Sequence, residues 1–127
     1  MPTAAEHLEK YEANRKLLDS CNGSPLSQVD PCWATTVAFY AALHLVERLA
    51  ARSGVENRNH TERMNYVRAD HPQIQGAYRI LMDASRTARY FSKKSFDAKF
   101  PRDTVQTHHI GHYLKQIEDH SFNVQPR

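Results

Sequence analysis

The sequence predicts an all-α fold, an up-and-down bundle of four to five helices. Apolar residues recur at helical spacing in five segments, and none of the segments reads as a strand. Helix-start and helix-stop residues bracket those segments. Only four glycines occur in 127 residues.

The elements follow in order. Thr3 with Glu6 three residues on is a capping box, so a first helix is expected over 4–20, with Leu8, Tyr11, Leu17 and Leu18 as its apolar positions. Asn22, Gly23, Ser24 and Pro25 stop it. Asp30 caps a second helix that has Pro31 at its first position, runs over 31–53 and ends at Gly54. This helix is apolar almost all round. Ala38, Phe39, Ala42, Leu45, Val46 and Leu49 fall on one side, and Trp33, Val37, Tyr40, His44 and Glu47 on the other. Two apolar faces place it between a bundle and a second subunit, or at the bundle's centre. Asn59 or Thr61 starts a short third helix over 61–70, and Pro72 opens a fourth over 73–92 carrying Ile74, Tyr78, Leu81, Met82 and Ala88. Residues 93–101 read as a loop. Asp103 or Thr104 caps a last helix over 103–119, and the tail from Phe122 is expected to fray.

By length the chain is one domain, 1–127. Mean hydropathy is -0.70 and no apolar run nears the ~18 residues that span a bilayer, so no membrane contact is expected. Its N-terminal residues lack the basic start and apolar stretch of a signal peptide. Cys21 and Cys32 are too few for a disulfide framework, and a cytoplasmic location is the expectation. A net charge of +3 favours anionic partners mildly. The charge is concentrated: Arg79, Arg86, Arg89, Lys93, Lys94, Lys99 and Arg102 crowd one stretch. A solvated basic face is the plainer reading, and a nucleic-acid contact surface the sharper one.

With these elements placed, the chain resembles the HEPN domain superfamily, small helical bundles that are often dimeric. The resemblance rests on Trp33 to His44, similar to the family's aromatic-Tyr-Ala-x-x-His helix, on Asn59-His60, Arg63 and Tyr78, and on Ser85-Arg86-Thr87-Ala88-Arg89-Tyr90. It covers roughly 28–120. Many such proteins are metal-independent ribonucleases, some are toxins held by an antitoxin protein, and others are inactive binding or dimerisation modules. The nuclease members carry an arginine, four to six residues and a histidine near the start of the last helix, a pattern that Arg102 to His108 matches. Eleven arginines and eight histidines would give roughly two such spacings by chance, so position carries more weight than the match itself.

Metal-free RNA cleavage needs a base for the 2'-hydroxyl, an acid for the leaving 5'-oxygen and a cation for the phosphorane. The resemblance gives the acid-base role to His108 and the charge-stabilising role to Arg102, with two copies facing each other in a homodimer. Arg79, Arg86, Tyr90 and Lys93 are the expected RNA- or phosphate-binding residues. A plain solvated stripe with an Asp83–Arg86 pair is the alternative for that face. His44, Glu47, His60 and Arg89 are read as structural or supporting polar groups, with Glu47 orienting His44 and accepting Arg89, and His60 serving as a cap or a partner of Arg63. His108 and His112 share a helical face, yet no third ligand is evident and no metal or cofactor is expected. The expected function is RNA binding, extended to metal-independent endoribonuclease activity in a toxin–antitoxin or defence setting. The alternative is a non-catalytic dimerisation or small-ligand or nucleotide-binding module.

Overall fold

A computed structural model describes residues 2–90 and 109–124. Those residues form an all-α bundle of six α-helices and one 3-10 turn, with no strand among them.

α1 spans Ala4–Asp19. Its capping box is present: the Thr3 hydroxyl accepts from the Glu6 amide and the Glu6 carboxylate accepts from the Thr3 amide, both at 3.1 Å. The helix buries only His7 and Tyr11. The Tyr11 hydroxyl donates to Glu118 on the last helix, and Arg15 stands 3.6 Å from the same carboxylate. A tight turn follows, with Asn22 and Gly23 at positive φ, 55° and 88°. It leads into α2, Leu26–Val29, a single turn between the expected stop at Asn22–Pro25 and the cap at Asp30. One buried side chain, Leu26, anchors it against Ala34 and Val37, with Leu17, Leu18 and Cys21 packed around.

α3, Pro31–Arg52, is the central helix and packs against α1, α2 and the later helices. Asp30 caps it, accepting from the Trp33 amide at 3.1 Å. It ends before Gly54, whose φ of 74° suits only glycine without strain. Phe39, Leu45 and Val46 are fully buried. Thr35 and Thr36, buried mid-core, satisfy their hydroxyls on the Pro31 and Cys32 carbonyls. Along the second of its two faces burial is graded: Trp33 is exposed, Tyr40 and His44 are half-buried, and Val37 and Glu47 are buried.

α4 spans His60–Asp70, capped by Asn59 through the Glu62 amide at 2.9 Å. The 3-10 turn Pro72–Ile74 leads into α5, Gln75–Tyr90, which presents Ala77, Tyr78, Leu81 and Ala84 to the core. The last helix, α6, is described over His109–Asn123. It continues past the expected end at 119 because Ile117 and Ser121 are both buried, and Phe122 sets its ring 5.7 Å from Tyr11. Phe122 is therefore helical, with one edge against Tyr11 and half its surface exposed, and not part of a frayed tail.

Candidate functional site

A chain of charged groups starts inside the bundle and ends at its surface. Glu47 on α3 is buried, and Arg63 on α4 donates to it through Nε; the two side chains are only 10% and 11% exposed. Asn57 adds a second donor to the same oxygen at 3.4 Å. Two opposite charges out of water persist because each is paired and hydrogen-bonded. The position expected to pair Glu47 with Arg89 is thus taken by Arg63, which enters from the neighbouring helix.

Arg63 also reaches outward, with Nη1 3.1 Å from His60 Nδ1. A guanidinium only donates, so His60 Nδ1 accepts and the ring proton sits on Nε2. His60 is held below its ordinary pKa, first by partial desolvation and then by the positive charges of Arg63, Arg89 and Arg86. The result is a neutral imidazole with a fixed tautomer, presented at the start of α4. The Tyr78 phenol, beside Arg63, is fully buried. Burial raises its pKa above the ordinary value.

His60 forms one end of a groove of about 330 Å³ between α4 and α5. Arg68, Arg79 and Arg86 line it, Met64 and Met82 give it an apolar floor, and Thr61, Asn65 and Gln75 add uncharged polar groups. The lining holds no carboxylate. Among the described residues none of the three arginines is in an ion pair, and the Asp83–Arg86 pair of the plainer sequence reading does not form. The structure therefore brings together Arg79, Arg86 and His60. It adds Arg68, which sequence reasoning missed because its polar helix α4 gives no periodic signal.

The other expected residues lie elsewhere. His44 does not turn to Glu47; its Nδ1 faces His7 Nδ1 at 3.1 Å across the α1–α3 contact. Burial, and then the neighbouring His7, hold the His44 pKa down at about 4. Arg89 donates to the Tyr40 hydroxyl at 2.6 Å and lies over its ring, 5.5 Å from the centroid. A second histidine pair had no sequence signal at all: Tyr66, His71 and His120 form a relay, buried at its Tyr66 end, with both links at 2.9 Å. Tyr90 closes α5. Its side chain lies outside the described residues, as do Lys93, Arg102 and His108.

Among the described residues no group of three or more metal-ligating side chains converges, and no helix is long and apolar enough to cross a membrane. No family model, curated protein or solved structure matches the chain.

Proposed function

We propose that this chain is a HEPN-like RNA-binding protein and that the α4–α5 groove holds the RNA backbone. One observation supports the reading: Arg68, Arg79, Arg86 and His60 share a concave surface whose lining contains no carboxylate. Guanidinium groups without an acidic partner are matched by phosphate, to which arginine donates two parallel hydrogen bonds. The Nε2–H of His60 supplies an uncharged donor beside them.

Metal-independent RNA cleavage is the catalytic extension of the proposal. His108 moves the proton of the 2'-hydroxyl or of the leaving 5'-oxygen, and Arg102 stabilises the phosphorane charge. A homodimer and, in a toxin–antitoxin or defence setting in the cytoplasm, an antitoxin protein are the partners this reading entails.

Anisotropy of a labelled single-stranded oligoribonucleotide tests the binding reading. With three arginines on phosphates, log K should fall against log salt with a slope of about -2, and each of Arg68→Ala, Arg79→Ala and Arg86→Ala should flatten it by about 0.7. Unchanged affinity and slope in all three variants would refute it. RNA incubated in EDTA tests the extension: cleavage by wild type that is lost in both Arg102→Ala and His108→Ala supports it, and cleavage unchanged in both removes that pair.

A second reading, a non-catalytic dimerisation module, is favoured by Val29 and Trp33, large apolar side chains 53% and 52% exposed. A dimer in sedimentation that Trp33→Ala dissociates, together with no salt-dependent RNA binding by wild type, decides for it.

A further inference from the structure

The cationic groove does not end at Arg86. Arg86 and Arg89 both bear on His60, and Arg89 reaches across to Tyr40 on α3. Tyr40 lines a second groove of about 370 Å³, between α1 and α3, together with Trp33, Val37 and His44 along α3 and Lys10 on α1. Arg89 thus stands between the two grooves, acting on His60 of one and bonded to Tyr40 of the other. One is lined by arginines and the other by aromatic rings.

The second groove also lacks a carboxylate in its lining. Lys10 stands on one wall, and Arg89 covers the Tyr40 ring at the other end. Trp33, the chain's single tryptophan, is 52% exposed. Trp33 and Tyr40 lie seven residues apart on one helix, so their side chains share a face about 10 Å apart along the axis. Stacked bases rise about 3.4 Å each, so the two rings meet different bases of one strand.

We propose that the α1–α3 groove is a stacking platform for the bases of single-stranded RNA, with Tyr40 and Trp33 each carrying a base while the α4–α5 groove holds the phosphates. The proposal rests on the RNA-binding reading above and names the form of RNA that reading takes. Aromatic rings flanked by cations suit a strand whose bases have apolar faces and whose backbone is anionic. Stacking of this kind is tolerant of sequence, because every base has a π-face. A second copy of this chain fits the same surface less well. A two-fold contact would set this lining, which carries Lys10 and no carboxylate, against a second copy of itself and so bring like charges together with no acid between them.

Trp33 is its own reporter. Wild-type protein is titrated with an oligouridylate of about ten nucleotides and, separately, with inorganic polyphosphate, which carries the charge without bases. The expected result is quenching of Trp33 fluorescence by the oligouridylate and none by polyphosphate, which still competes for binding. Trp33→Ala and Tyr40→Leu should each raise the Kd for the oligouridylate about 5- to 150-fold, whereas Tyr40→Phe should keep wild-type affinity. Trp33 is a surface residue, so Trp33→Ala carries the test if Tyr40→Leu fails to fold. Unchanged affinity in Trp33→Ala with the salt slope intact overturns the platform and leaves the phosphate groove standing. No salt-dependent binding by wild type removes both. A wild-type dimer that Trp33→Ala converts to monomer, at unchanged RNA affinity, assigns the face to a second copy and also overturns the proposal.

Discussion

Acidification should loosen the contact between α1 and α3, and His44 sets the size of the effect. Its ordinary pKa is 6.5, and in the folded protein it is held at about 4, chiefly by burial and then by the facing His7. The direction is fixed by which state binds the proton. Above 6.5 both folded and unfolded chains carry neutral His44, and stability does not depend on this group. Below 6.5 the unfolded chain takes a proton that the folded chain refuses, so stability falls until the folded pKa is passed. At pH about 5 the difference is roughly one and a half pKa units, or about 2 kcal/mol at most. The ring lies half open to the α1–α3 groove, and solvent screening reduces this to about 1 kcal/mol. His7, His60 and His120 are also held low, so their contributions have the same sign. Urea unfolding at pH about 7.5, 6 and 5 measures the loss, and His44→Leu removes the His44 share of it. A His44→Leu variant as acid-sensitive as wild type would refute the reasoning, as would a His44 ring that titrates near 6.5 by NMR.

Two further outcomes follow from buried and capping groups. Glu47→Leu strands the Arg63 guanidinium at 11% exposure and should cost about 3–5 kcal/mol in urea unfolding. Adding Arg63→Met should restore most of that loss, because the pair rather than either charge is what the site tolerates. Asp30→Ala removes the acceptor for the Trp33 amide and should cost about 1 kcal/mol, seen as a fall in Tm of roughly 4 °C.

The helices were legible where a cap and a periodic stripe agree. Thr3 with Glu6, Asp30 with Pro31 and Asn59 each mark a start that the structure keeps. α2 escaped notice because four residues cannot show a period, and its one anchor, Leu26, directly follows the stop at Asn22–Pro25. The arginines of α5 were legible as a face, since Arg79 and Arg86 repeat at helical spacing. Arg68 was not, because it joins them only when α4 folds alongside. Long-range polar pairs left no local trace. His7 meets His44 across 37 residues and His71 meets His120 across 49, and nothing near either histidine in sequence signals a partner. Glu47 was expected to hold a cation, but which one depends on how α4 lies over α3, not on spacing along the chain.

The bond from Tyr11 to Glu118 spans 107 residues and ties the first helix to the last. On a ribosome adding about 5–20 residues per second, Tyr11 waits roughly 5–20 seconds for its acceptor to be made. Once Pro31–Arg52 has been made and until Glu118 follows, α1 has a partner in α3 but not its tie to α6, and Tyr11 keeps its hydroxyl in water. Closure of the bundle is thus timed by translation, and a slow stretch of codons between the two residues would lengthen the life of the open form without changing the protein that results.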